Sequence, residues 1–453
     1  MTPLEGAMSR AQGDPILHHS PSPANLPVTA GSGAPLGPAI PVRDGPSRRL
    51  HPDVWAVSIT SLFSDWSYEM ILPILPFFLI FSLAATPFLV GLIDGAAQFA
   101  QSGIQTVAGE RWARGANRKQ RGSLGYVTTT VSHGLLALAV IWPEVLVLRV
   151  SAWLGRGSRQ PIKKAIVANA TSHATQGIAF GLEQTFDSIG AVLGTITAVS
   201  LLLVGGLEEF RTIFAISMIP GFTAVIVLLV FVKDRSARLS PSTRRPPPVR
   251  WRELPSAFRL FLIAEIVFGL GYFSILLALL RVGENLLPSS GGSVSAVVVT
   301  SLLLYLLYNL IFTGISYPAG QWADRSHGVG LVAASFALFA LVDLLLIGNG
   351  GLLAGVLAFV AAGVQVGLQG VAESAWVARQ MPAELAGPAF GWLGMVQGIA
   401  ILAGSLLAGG LWTYVSAPLA FGVSGIFSVA GAVFLFPLLI SHGRTHAGLG
   451  ANI

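Results

Sequence analysis

The sequence predicts an all-α integral membrane protein of twelve transmembrane helices, arranged as two six-helix bundles related by pseudo-two-fold symmetry. Three observations carry that prediction. Of the 453 residues, 53% are hydrophobic and only 11% charged, whereas soluble domains are about a quarter charged. Apolar stretches long enough to cross a bilayer, about 20 residues each, follow one another from Val54 onward. The two halves of the chain also repeat one another at a fixed offset.

Taken in order, residues 1–50 are rich in Pro, Gly, Ser and Ala without helical periodicity, the composition of a disordered tail. No apolar run precedes Val54, which argues against a cleaved signal peptide. The N-terminal bundle, 51–232, holds spans near Val54–Ser82, Pro87–Ala108, Ser123–Trp142, Glu144–Ala168, Ile178–Val204 and Thr212–Val232. A polar linker, 233–258, contains Arg244-Arg245-Pro246-Pro247-Pro248 and cannot span. The C-terminal bundle, 259–440, holds spans near Leu260–Leu280, Val294–Gly320, Val329–Gly348, Leu352–Ala372, Ala389–Trp412 and Ala417–Ile440, and a short tail, 441–453, follows.

Most of the 27 Lys and Arg fall in the tail, in the loop Arg111–Arg121, in Arg156–Lys164 and in Lys233–Arg259. An even number of spans between these segments puts them all on one side. Basic residues concentrate on the cytoplasmic side of a membrane, so both termini are expected in the cytoplasm and the chain in a cell inner membrane. The net charge of +6 is then a topology signal, and no nucleic-acid partner is expected. With no cysteine, disulfides, a thiolate nucleophile and thiolate metal sites are excluded. The sequence has no His cluster, nucleophile–base pairing or phosphate-binding glycine loop. Neither metal, cofactor, enzyme activity nor ATP drive is expected.

The repeat rests on three matches at an offset of about 210 residues. Gly109-x-x-x-Ala113-Arg114 matches Gly320-x-x-x-Asp324-Arg325, each after the second span of its half. Phe180-Gly181 with Gly190 and Gly194 matches Phe390-Gly391 with Ala400 and Gly404, and Phe63-Ser64 matches Phe273-Ser274. Each falls in the corresponding helix or loop, as in transporters built from parallel repeats.

Over Val54–Ile440 these residues resemble the major facilitator superfamily. Its loop motif, G-x-x-x-D-R-x-G-x-R-K, is matched in degenerate form by Gly109, Ala113, Arg114, Ala116, Arg118 and Lys119, and its second copy by Gly320, Asp324 and Arg325. The fourth-helix motif is matched by Arg149, Gly155 and Gly157, and the fifth-helix glycines by Gly190 and Gly194. The first span, Phe63-Ser64-Asp65-Trp66-Ser67-Tyr68-Glu69-Met70, resembles a poorly characterised bacterial subgroup with F-S-D-x-S-Y-E-M there. Ala113 stands where the family's loop aspartate helps latch the inner gate, and Ala152 and Trp153 stand where the subgroup has Asp and Arg. The resemblance implies a monomeric secondary transporter of a small molecule, with gating loops at Gly109, Arg114, Arg118, Gly320, Asp324 and Arg325.

Charges inside a bilayer are costly and are normally paired or face water. Spans 1 to 6 carry Asp65, Glu69, Asp94, Arg149, Arg156, Arg159, Lys163, Glu183 and Asp187, whereas spans 7 to 12 carry Glu265 and Asp343, with Glu373 near an inner end. Hence the N-terminal bundle is expected to hold the coupling or polar-substrate site. At about 1.5 Å per residue, Glu69 and Arg149 share one depth, Arg156 and Asp187 another, and Arg159 and Glu183 a third. Asp65 and Glu69 are spaced i, i+4, as are Glu183 and Asp187, so each pair shares a helical face. Arg149, Arg156 and Lys163 recur every seven residues. The fourth span is therefore expected to present a basic stripe to acidic faces of the first and fifth. A structural ladder that only fixes packing is the competing reading, chiefly for Glu183, Asp187, Arg156 and Arg159.

Among other residues, Asp94 is expected as a packing acid near the outer end and His133 as a core histidine. Pro73 and Pro76 are expected to kink the first span. Trp66, Tyr68, Tyr272, Tyr305 and Tyr308 are candidates for a cavity wall, with packing the simpler role. In function the sequence points to alternating-access transport coupled to protons, with export the preferred direction on family resemblance. The alternative is a transporter-like sensor or scaffold that moves no solute.

Overall fold

Lipid offers the backbone no hydrogen-bonding partner, so a chain this apolar must pair its own N–H and C=O groups, and helices do so within one segment. The computed structural model describes residues 50–109, 117–171, 175–233, 250–288, 290–291, 293–326, 328–381 and 383–440. Among them every regular element is helical. The first set comprises α1 (Pro52–Ile71), α2 (Leu75–Phe77), α3 (Pro87–Val107), α4 (Arg118–Leu135), α5 (Trp142–Asn169), α6 (Gln176–Gly205), α7 (Phe210–Ile216) and α8 (Met218–Phe231). The second comprises α9 (Ser256–Gly271), α10 (Ile275–Leu286), α11 (Val294–Ser326), α12 (Val329–Ile347), α13 (Gly351–Gln380), α14 (Ala383–Tyr414) and α15 (Ala417–Phe434). Among the described residues eight segments, beginning with Ile178–Gly205 and ending with Ala417–Ile440, are long and apolar enough to cross a membrane. The early helix α5 is not among them, and it carries Glu144, Arg149, Arg156, Arg159, Lys163 and Lys164.

Local chemistry sets the ends and breaks. The imidazole of His51 accepts from the Asp53 amide at 3.1 Å, and Pro52 occupies the first turn, where its missing N–H costs nothing. α1 ends at Ile71, just before Pro73, and the chain resumes as α2 and a π-helical stretch, Phe78–Ser82. The expected kink is thus a true interruption. A second break, between α9 and α10, involves no proline. Tyr272 and Ser274 are extended, and the Ser274 hydroxyl accepts from the Leu276 amide to cap α10. The Gly271 carbonyl freed by the break accepts from Ser424 of α15.

Within each set, small residues bring helices together. A Cβ on Gly194 of α6 would lie 2.6 Å from the Trp66 carbonyl of α1. At the repeated position in α14, a Cβ on Gly404 would lie 2.6 Å from the Tyr272 carbonyl at the end of α9. Gly109 sits against Pro161, and its counterpart Gly320 sits against Val371, which is 210 residues further on. The repeat inferred from sequence is therefore a repeat of packing. Between sets, α3 packs on α14 through Gly91, Gly95, Gly398 and Gly409, and α6 packs on α11. Those two interfaces exchange under the same pseudo-two-fold relation.

The Lys233 amide donates to Asp53 at 2.9 Å, so the end of α8 lies beside the start of α1. The first set therefore crosses the slab an even number of times, with residues 53 and 233 on one side, called here the near side. The tails 1–49 and 441–453, the linker 234–249 and the loop residues Ala113 and Arg114 lie outside the described residues. So does the side chain of Asp324.

Candidate functional site

The polar side chains of the first set converge along α5. Its small residues decide which way it faces. A Cβ on Gly157 would lie 2.7 Å from the Gln101 carbonyl of α3, and one on Gly155 would lie 2.7 Å from Thr129 of α4. Packed so closely on α3 and α4, α5 turns Arg149 toward α3. Arg149 is fully buried and donates to Asp94 at 3.0 Å, with its guanidinium 4.4 Å from the Trp153 ring centroid. Asp94 also accepts from Gln98 at 2.8 Å and from Ser274, of the second set, at 2.5 Å.

The expected Arg149–Glu69 pair is not formed, because the two side chains face different neighbours. Glu69 is buried and accepts from the Tyr305 hydroxyl of α11 at 2.8 Å. Arg156 pairs with Asp65 at 3.9 Å rather than with Asp187, and its guanidinium lies over the Tyr68 ring at 4.3 Å. Arg159 lies over the Tyr126 ring at 4.0 Å rather than against Glu183. Lys163 takes both acids of α6, in contact with Glu183 and 3.3 Å from Asp187, and donates to Ser61 at 3.0 Å. The basic stripe does meet acidic faces of α1 and α6, through Arg156 and Lys163. Asp94, a coupling candidate for which packing is the simpler expected role, is the partner of the most buried cation. His133 is buried beside Tyr68, with centroids 5.9 Å apart.

Sequence reasoning did not bring together the polar groups of the second set. Glu265 of α9, Glu373 of α13 and Gln397 of α14 meet at the wall of a cavity of roughly 330 Å³ that Phe268, Tyr272 and Phe312 also line. The signal available was Gln365, Gln369 and Glu373, spaced four apart on one face of α13. Of the gating-loop residues, Arg118 is buried and Arg325 exposed at the end of α11. Arg379, near the end of α13, donates to the Ala323 carbonyl of α11 at 2.9 Å.

Hydrogen bonds across the sets include Glu69–Tyr305, Asp94–Ser274, Thr313–Ser188 and the Phe88 amide to Thr413. These lie at mid-depth or on the far side. Phe77 and Gly283 also close together there. Two helical sets with buried charges at their junction, packed by mirrored interfaces, define a multi-pass membrane protein of the transporter class. The chain belongs to the Major Facilitator Superfamily, whose sequence profile matches residues 57–366.

An uncharacterized MFS-type transporter of Methanocaldococcus jannaschii is 28% identical over 395 residues, 86% of this chain and 96% of that protein. Among solved structures, the peptide transporter POT, as a mutant in complex with sulfate, has a TM-score of 0.68 at 14% identity. It covers 87% of this chain and 95% of that one. The nucleoside transporter NupG has a TM-score of 0.65 at 14% identity, covering 86% and 98%. At such identities the likeness is one of fold.

Proposed function

We propose that the protein is a proton-coupled secondary active transporter that moves a small solute by alternating access, with export as its direction. It sits as a monomer in the inner membrane, the near side and both termini facing the cytoplasm, where the basic loops belong. It is not an enzyme. Asp65, Glu69, Asp94, Arg149, Arg156, Arg159, Glu183 and Asp187 form its coupling and substrate-binding region. Gly109, Arg114, Arg118, Gly320, Asp324 and Arg325 act at its gates.

The observation that carries this reading is the bond from Tyr305 of one set to the Glu69 carboxylate of the other. An ionised carboxylate accepts strongly, and such a bond contributes about 1.5–3 kcal/mol. Taking up a proton removes the charge that makes the bond strong. Losing most of that energy shifts a two-state equilibrium roughly ten- to hundredfold. A protonated Glu69 therefore loosens the contact that helps hold the far side closed, and the sets rock about the central site. Asp94–Ser274 is a second bond of the same chemistry. The Asp94 carboxylate also accepts from Arg149 of its own set.

The test is proton movement in reconstituted vesicles, screening pooled solutes with wild type and Glu69→Gln. A solute that collapses an imposed pH gradient only with the wild type supports coupled transport through Glu69. Equal responses remove Glu69 from coupling. Solute binding that never leads to flux in either protein favours a sensor.

A further inference from the structure

We infer that the cavity of the second set is a binding site for an organic cation, an amine or quaternary ammonium on an apolar or aromatic body. This rests on the transporter reading and names the substrate class for it. Glu265 is 2% exposed and Glu373 5%. One amide, Gln397 Nε2, donates to both, at 3.1 Å and 2.8 Å. The second oxygen of each, Oε1, is buried without a hydrogen-bond partner. Among the described residues neither carboxylate is in an ion pair, and no Lys, Arg or His lines the cavity.

Elsewhere in the protein the deeply buried carboxylates of the first set meet cations or hydroxyls of their own chain. Asp94 has Arg149 and Glu183 has Lys163. The Glu265–Glu373 pair differs in having no cation among the described residues: the two carboxyls neighbour each other at the cavity wall, share the Gln397 amide, and each keeps a buried oxygen without a hydrogen-bond partner. Buried carboxylates in that condition are costly, and a ligand that brings a positive charge relieves the cost. The rest of the wall states what else the ligand carries. Phe268, Tyr272 and Phe312 line the space, and aromatic faces attract organic cations while excluding a hydrated metal ion. The volume, roughly 330 Å³, is at the lower end of sites for small organic molecules.

In the first set Asp65, Asp94, Glu183 and Asp187 already have cations of the chain, and Glu69 has the Tyr305 hydroxyl. An anionic substrate would meet the carboxylates of the second set with nothing to offset them. The acid pair in the cavity therefore acts as the charge selector, and the aromatic wall as the selector for an apolar body.

The experiment measures binding of radiolabelled benzyltrimethylammonium to the full chain in lipid nanodiscs. Its permanent charge separates cation binding from proton exchange, and neopentylbenzene is its neutral isostere. Saturable binding to the wild type is expected, undisturbed by the neutral isostere. Glu265→Gln and Glu373→Gln should each weaken it by at least about tenfold, with elution profiles matching the wild type. Absence of saturable binding to the wild type overturns the assignment without any variant, as does equal displacement by neopentylbenzene. Equal binding by a folded double Gln variant overturns it too. Vesicle flux of another solute by a protein that ignores the ammonium probe sinks this site and leaves the transporter reading standing. Binding of the probe without flux of any solute does the reverse.

Discussion

Arg149 has no exposed surface, and it donates to Asp94, while Nε and Nη1 have no hydrogen-bond partner. Its charge is held by that carboxylate and by the ring of Trp153. Removing one partner of a buried ion pair strands the other charge and costs roughly 3–5 kcal/mol. Asp94→Ala is therefore expected to lower the thermal midpoint of the purified protein by many degrees, measured as loss of monodisperse protein after heating. A wild-type midpoint would falsify the claim that Asp94 is what keeps Arg149 tolerable. Tyr305→Phe makes the opposite case. It deletes one hydroxyl from a ring that still stacks on Tyr308, 5.6 Å away between centroids. The fold should survive, and the proton-coupled flux should drop about tenfold because Glu69 loses its partner across the sets. Undiminished coupling in this variant means that the bond is a packing detail.

At the level of elements, the close approaches of α6 to α1 explain why the fifth-helix glycines matter and why one glycine nearby does not. A Cβ on Gly194 would lie 2.6 Å from the Trp66 carbonyl and 2.7 Å from the Glu69 Cβ, whereas nothing lies within 4 Å of a Cβ on Gly181. Overpacking against backbone costs about 1–3 kcal/mol. In open space, replacing a helical Gly by Ala gains about 0.5–1 kcal/mol. Thus Gly194→Ala should reduce heat stability and Gly181→Ala should leave it equal or higher, and the reverse order in the same melting assay rules the packing account out. This contrast also marks what could be read in the sequence. Span positions, the repeat and the Pro73 interruption follow from apolar length, spacing and a missing N–H, which are local properties. The break at Tyr272–Ser274 has no such signal, since it is stabilised by Ser424 and Asp94, far away in sequence. Depth arithmetic paired Arg149 with Glu69, whereas Arg149 meets Asp94 and Glu69 meets Tyr305. It said nothing of the direction in which α5 faces, which the contacts of Gly155 and Gly157 decide. Glu373 was placed near an inner end because the expected span stopped at Ala372, while α13 continues to Gln380. The partnership of Glu373 with Glu265 needs two helices more than 100 residues apart to meet, and no local pattern encodes that.

For the whole molecule, the decisive property is that polar contacts between the sets run from mid-depth to the far side. Ser188 and Thr313 face each other at 3.2 Å about midway along α6 and α11, whereas Phe88 and Thr413 join at the far ends of α3 and α14. Two bodies that rock about a central axis separate least near the axis and most at the ends. A covalent tie at the far ends should therefore stop turnover, while a tie at mid-depth should be tolerated. The chain has no cysteine, so pairs of introduced thiols report without background. Phe88→Cys with Thr413→Cys, oxidised to the disulfide, is expected to abolish solute flux in vesicles and to regain it on reduction. Ser188→Cys with Thr313→Cys should keep most of its flux in either redox state. Continued flux through the oxidised far-end pair would mean that the solute passes without separation of the two sets there. The bonds at Glu69 and Asp94 would then be fixed features of one scaffold rather than contacts that form and break in each cycle.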